Sequence, residues 1–281
     1  MKDKKYVSAP LPFQGQKRRH VKEFTGIIKT LQPNLVVDLF GGSGLLSHLA
    51  KRANPRSRVV YNDYDNYCQR LAHIDKTNEL LRYFRELFKD YPADAKITGE
   101  MREQVLSKLS VADKCGYVDW ISLSANLRFS MRYANNYDEF TKGQLYNRIR
   151  MVDFAADGYL DGLEVVCTDY RELCAQYRNE KRVLFLADPP YLSTDVSTYN
   201  SAGYWKLEDY LNVLTALNGL NFVYFTSNKS QIVELSEWID KNADNVKNIF
   251  EGAMITTVKS PTTEMTSYDD IMLYKVNLKD D

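Results

Sequence analysis

Histidine is scarce in this chain, with three in 281 residues (His20, His48 and His73), and the four cysteines (Cys68, Cys115, Cys167, Cys174) form no Cys-x-x-Cys pair. Zinc-ligand spacing is therefore missing, and no metal is expected. Cys167 and Cys174 fall on a predicted strand and the helix after it, where free buried thiols of a reducing cytoplasm fit better than a disulfide. No apolar run approaches the roughly 18 residues of a membrane-spanning helix. The basic start, MKDKKYVSAP, lacks the apolar stretch of a secretory signal. Net charge is missing too: 37 Lys+Arg balance 37 Asp+Glu, so a polyanionic partner would have to meet a local basic patch. There is no internal repeat and no low-complexity tract. What remains is an ordinary globular composition, 44% apolar and 26% charged, in a length that suits one large domain or one domain carrying an insertion. Twenty tyrosines offer stacking surfaces but also fill half-buried positions in any fold.

Apolar runs alternate with helical patterns along most of the chain. LVVDLF (Leu35–Phe40) reads as a strand, followed by a glycine turn and a helix from Leu45. SRVVYND (Ser57–Asp63), LEVVCTDY (Leu163–Tyr170), RVLFLADPPY (Arg182–Tyr191) and NFVYFTSN (Asn221–Asn228) read as four more strands. Helical patterns cover Tyr170–Tyr177, Leu207–Leu217 and Ser230–Asn242. The rhythm predicts an α/β fold, a mostly parallel Rossmann-like sheet. Two final strands within Asn248–Val258 and Asp270–Val276 should form an antiparallel edge. Residues 66–161 break the rhythm. They open on a long helix with Leu71, Ile74, Leu81, Phe84 and Phe88 at near-heptad spacing and predict a mostly helical insertion. Domains are thus expected at 1–65 with 162–281, and at 66–161.

Ligands of open parallel sheets bind at the carboxyl ends of the strands. Four such ends carry special chemistry here: the turn Gly41-Gly42-Ser43-Gly44, Asp63, Asp169 and Asp188. A glycine turn exposes backbone N–H groups and admits a ligand close to the chain. Asp63, about twenty positions on, could accept two ribose hydroxyls or form an Asx turn. The glycine pattern alone is weak, because Ser47 stands where a dinucleotide fingerprint has its third glycine. Asp188-Pro189-Pro190-Tyr191 is far more specific. Two prolines directly after a buried strand remove donors and stiffen the chain, a poor choice without a purpose.

PFQGQK (Pro12–Lys17), DLFGGSG (Asp38–Gly44) and DPPY, in that order around an insertion, resemble the Dam-type, alpha-group DNA adenine-N6 methyltransferases that use S-adenosyl-L-methionine. The resemblance runs from about Leu11 to Tyr191 by motif, and beyond by sheet pattern. It implies that Phe13 and Lys17 contact the cofactor, with Phe40, Gly41, Gly42 and Gly44 on its methionine side. It implies further that Asp63 takes the ribose, Asp169 and Tyr170 flank the adenine, and Asp188 through Tyr191 face the target base. Gln16 departs from the Asn or Gly common before the lysine, and Leu39 from a common proline. The insertion falls where that family keeps its target-recognition domain, and double-stranded DNA is the implied partner.

Chemistry agrees with these residue types. An adenine amino nitrogen is a poor nucleophile because its lone pair is delocalised into the ring. The Asp188 carboxylate and the Pro189 carbonyl can each accept one of its hydrogens, which frees the lone pair and stabilises the developing positive charge. This requires an available carboxylate at 188, one not consumed by an internal ion pair. A base inside a duplex is out of reach, so it must be flipped. Candidate DNA contacts are Lys17, Arg18, Arg19 and Lys22, and in the insertion Arg128, Arg132, Lys142, Arg148 and Arg150 among Phe129, Tyr133 and Tyr137. Thr226–Asn228 could close the base pocket or cap the following helix. Methylation of RNA adenine or of cytosine N4 by the same fold remains an alternative. So do a nicotinamide-dependent dehydrogenase, which leaves DPPY unexplained, and a DNA-binding relative without activity.

Overall fold

The structure is a computed structural model that describes residues 6–129, 132–190, 205–242, 248–261 and 267–276. Among them the strands are β1 (Leu35–Asp38), β2 (Arg58–Asn62), β3 (Lys96–Ile97), β4 (Leu145–Tyr146), β5 (Glu164–Val166), β6 (Val183–Ala187), β7 (Phe222–Ser227), β8 (Met254–Pro261) and β9 (Ser267–Lys275). Spatial contacts divide the chain into two compact units. One comprises Met1–Ser8, Gln16–Asp65 and Leu160–Asp281; the other comprises Ala9–Gly15 and Asn66–Tyr159. No helix among the described residues is long and apolar enough to cross a membrane.

The first unit is built on a seven-stranded sheet of order β5-β2-β1-β6-β7-β9-β8. Pairing is parallel from β5 through β7 and antiparallel for β7–β9 and β8–β9, the expected edge. β1 and β6 are buried at every position, as strands covered on both faces must be. Their side chains alternate between two cores. Val37, Phe185 and Tyr224 meet Leu173, Val213 and Ile232 from later helices. Val36, Leu184 and Val223 meet Phe24, Ile28 and Leu49 on the other face. From β1 the chain moves outward to β2 and then β5, and returns to place β6 on the other side of β1. The strand order therefore reverses between β1 and β6, where a crevice opens at the carboxyl ends. Asp38 pairs in register with Leu186, so Asp188 lies two residues beyond that level at the same end of the sheet.

The second unit is mostly helical: Tyr67–Ala72, Ile74–Leu87, Gly99–Lys114, Trp120–Leu127 and Tyr137–Thr141. The expected single long helix is broken at His73, which has non-helical φ −109° and ψ 19°. Leu81, Phe84, Val105, Leu109, Leu123 and Phe140 are fully buried there. The short antiparallel ribbon β3–β4 has no counterpart in the sequence reading. Residues 9–15 also join this unit, through the Leu11 N–H that donates to the Tyr67 hydroxyl at 3.0 Å. All four cysteines are free. Cys174 is buried as expected, whereas Cys167 is exposed, so the expectation of a buried thiol fails there.

Candidate active site

β1 ends in a turn that only glycine can build. A Cβ on Gly41 would lie 2.3 Å from the Tyr61 ring, and Gly44 has φ +73°, a left-handed conformation that side chains resist. The Tyr61 hydroxyl lies 2.8 Å from the Gly42 carbonyl and 3.0 Å from Asp63 Oδ1, a strut between the turn and the end of β2. Asn62 closes the same corner: its amide donates to the carbonyls of Leu39 and Thr168, and its oxygen accepts from the Thr168 N–H. Ser47, at the missing third glycine, donates to Asp38 Oδ2 at 2.6 Å. Burial pushes the Asp38 carboxyl up to about 7, against that hydrogen bond. Its other oxygen is buried with no partner among the described residues.

Beside the turn, half-buried Phe40 and Tyr170 stand 5.1 Å apart between ring centroids, with Trp205 5.7 Å from Phe40 and 6.4 Å from Tyr170. The three rings form an aromatic wall beside the turn. Trp205 was missed in the sequence because it belongs to no motif; the tertiary fold alone brings it to Phe40. Asp169 is committed differently from the expectation. Its carboxylate caps the helix Tyr170–Tyr177 by accepting the Arg171 N–H at 2.8 Å, and it is bound twice by the Arg171 guanidinium. Those bonds hold its carboxyl below the usual carboxylate range.

Asp188 follows β6 at the switch point. Lys17, expected at the cofactor, instead pairs with Asp188 Oδ2 at 2.6 Å. The ion pair does occupy one oxygen. A carboxylate offers about four lone-pair positions on two oxygens, however, so one ammonium does not exhaust it, and 17% of the Asp188 side chain stays exposed. Burial pushes its carboxyl up to about 6, opposed by Lys17 and aggravated by Asp270. The wall behind the pair is polar. His20 is fully buried beside Phe225, with Nε2 3.6 Å from Asp270 Oδ2. Among the described residues both His20 nitrogens and the Thr226 and Ser227 hydroxyls have no hydrogen-bond partner. Ser227 faces Asp270 across the ladder, and neither hydroxyl caps the next helix. Buried polar atoms are normally satisfied, which sets this group apart from the apolar core around it. Pro189 and Pro190 are buried; Tyr191 lies outside the described residues.

Other expected residues scatter. Phe13 belongs to the helical unit, its ring edge-on to Tyr67 at 5.8 Å. Arg18 is exposed, while Arg19 ties down the Lys259 carbonyl at 2.6 Å. In the helical unit Arg132, Lys142 and Arg148 are exposed, and Tyr133 and Arg150 are half-buried. Arg128 packs over Phe140 and against Gly143.

Residues present fit S-adenosyl-L-methionine. The turn exposes backbone at the switch point, the aromatic wall suits an adenine, and Asp63 stands at the end of β2. Among the described residues no group of three His, Cys, Asp or Glu side chains could hold a metal.

The architecture is Rossmann-like, a mostly parallel sheet with an antiparallel edge. The family profile of the D12 class N6 adenine-specific DNA methyltransferases matches residues 13–263, and the chain belongs to that family. A protein of Haemophilus influenzae provisionally named a methyltransferase is 34% identical over 279 residues, 97% of this chain and 93% of its own. A methyltransferase structure from Geobacter sulfurreducens overlaps 95% of this chain and 81% of its own at 14% identity and TM-score 0.36. A SAM-dependent methyltransferase from Agrobacterium tumefaciens overlaps 92% and 61% at 11% identity and TM-score 0.38. Scores this low add nothing to the fold read from the strand order.

Proposed function

We propose that the chain methylates the N6 amino group of adenine in double-stranded DNA at a specific site, on a base flipped from the helix. The observation that carries this reading is a partly exposed carboxylate at the β1–β6 switch point, fixed by one lysine, near a buried His20 whose ring nitrogens have no hydrogen-bond partner among the described residues. S-adenosyl-L-methionine supplies a methyl group on a cationic sulfur. Asp188 and the Pro189 carbonyl accept the two amino hydrogens of the target, turning its lone pair toward the methyl. The prolines stiffen the carbonyl's position. Lys17 keeps Asp188 ionised in a buried setting where it would otherwise take up a proton. Phe40, Tyr170 and Trp205 bear the cofactor's adenine and Asp63 its ribose. Asp169, spent on its helix cap, supports Tyr170 rather than the ligand.

The helical unit recognises the target through its exposed basic residues. Flipping takes a few kcal/mol, which their phosphate contacts offset. The decisive experiment follows labelled methyl transfer to duplex DNA by the Asp188→Ala variant, with nucleoside mass spectrometry of the wild-type product. Loss of transfer by 10²-fold or more (roughly 3 kcal/mol), with cofactor affinity retained and N6-methyladenine as product, is expected. Undiminished transfer sinks the assignment. Methylated cytosine, or transfer to RNA alone, would keep the reaction and replace the substrate.

A further inference from the structure

The helix Ile74–Leu87 ends at a cleft lying wholly within the helical unit. Its volume is about 440 Å³, in the range of small-ligand sites. Phe88, Ile149 and Met151 give it apolar surface; Arg85, Lys89 and Arg148 give it three cations. Asp94, the acid in its lining, is engaged by Arg148 at 3.2 Å. Arg85 uses Nε on the Arg150 carbonyl at 2.8 Å and Nη1 on Asp153 at 2.7 Å. Its Nη2 is buried with no partner among the described residues. Met151 and Val152 are 78% and 70% exposed, unusual for apolar residues with no role at the surface. The combination selects the ligand. A small inorganic anion has no use for the apolar floor, and an aliphatic ligand has none for three cations. A nucleotide uses both.

We propose that this cleft binds one nucleotide, its phosphate among Arg85, Lys89 and Arg148 and its base against Phe88, Ile149 and Met151. The inference deepens the reading of the helical unit as the nucleic-acid-binding part, and rests on it. The nucleotide could be a link of a strand or a free molecule, and the test separates the two.

Fluorescence anisotropy with labelled octathymidylate and an abasic octamer, and calorimetry with AMP, are run on four proteins. These are the wild type, the double variant Lys89→Glu/Arg148→Glu, Met151→Asp, and the charge control Lys181→Glu from the exposed surface of the sheet unit. Unfolding midpoints verify that each is folded. The double variant should weaken octathymidylate binding at least about tenfold and flatten its salt dependence by about 0.7 in slope, the value for one lost phosphate contact on a single strand. Met151→Asp should weaken octathymidylate more than the abasic octamer, because only the former brings bases to the floor. Saturable AMP binding lost in the double variant assigns a free nucleotide; octamer binding without AMP binding assigns a strand. The proposal is overturned if the double variant matches Lys181→Glu, if Met151→Asp affects both octamers equally, or if no probe binds. All readouts are of binding, so a wrong methyl-transfer assignment would surface in the Asp188→Ala experiment and leave these results standing.

Discussion

Two buried ion pairs, one in each unit, look alike until their neighbours are counted. In the helical unit Arg70 Nε meets Asp119 Oδ1 at 3.0 Å, with 5% and 1% of the side chains exposed. Asp119 also accepts the Ser122 N–H at 3.0 Å and its hydroxyl at 2.6 Å, while Arg70 reaches Ser122 and the Pro12 carbonyl. Among the described residues, Nη1 of Arg70 is the one polar atom of this pair without a partner. In the sheet unit Lys17 and Asp188 are 5% and 17% exposed, and the nearby His20 has both ring nitrogens without a hydrogen-bond partner among the described residues. The first carboxylate is saturated by the protein; the second keeps acceptor capacity and faces a strand-end crevice. Saturation marks structure, and unmet hydrogen bonding marks function.

The sharpest way to break this contrast is in stability. Asp119→Ala strands a buried guanidinium and removes the cap of the helix Trp120–Leu127, so chemical denaturation should show a loss of about 3–5 kcal/mol. Asp188→Ala, at a pair whose carboxylate is 17% exposed, should lose less in the same measurement, because water can reach the ammonium left behind. A reversed order would end the division into a structural and a functional pair.

A smaller effect separates Lys17 as an electrostatic partner from Lys17 as a cofactor contact. With the Asp188 carboxyl pushed up to about 6, the ionised acceptor accumulates above that pH and is lost below it. Single-turnover methyl transfer should therefore rise through pH 6 and level off. Lys17 lowers the Asp188 value through charge and hydrogen bonding, so Lys17→Gln should move the midpoint to higher pH. A profile displaced in amplitude alone, with the midpoint unmoved and cofactor affinity reduced, would return Lys17 to the cofactor.

The same two pairs show how far the sequence could be read. Strands β1, β2, β6 and β7 were legible because a doubly covered parallel strand leaves a short apolar run, and Asp38, Asp63 and Asp188 were visible at the ends of such runs. The antiparallel edge announced itself by the loss of strand–helix alternation. Lys17–Asp188 and His20–Asp270 were not legible, since each depends on how distant elements dock on the sheet, which no local period records. Trp205 is hidden for the same reason. The break at His73 was missed because near-heptad spacing continues across it; a single backbone departure leaves the apolar positions in phase. Ser47 was visible as a gap in a glycine pattern, but its bond to Asp38 turns that gap into a replacement of backbone closeness by a hydrogen bond.

Asp169 gives the finest test of the saturation rule, because family resemblance and geometry disagree about it. Resemblance places it beside the cofactor's adenine; the structure spends both its oxygens on Arg171 and the helix N-terminus. The ion pair is largely solvent-facing, with Arg171 62% exposed, so it adds little by itself, and loss of the cap dominates. Asp169→Ala should lower stability by about 1 kcal/mol, and calorimetry should find cofactor affinity changed less than threefold. Asp63→Ala, which removes a carboxylate kept at the end of β2, should weaken the same affinity at least about tenfold, the equivalent of one charge-assisted hydrogen bond. If Asp169→Ala instead matches Asp63→Ala, a carboxylate already satisfied in this conformation exchanges its partners when ligand arrives, and saturation stops being a guide to function at this strand end.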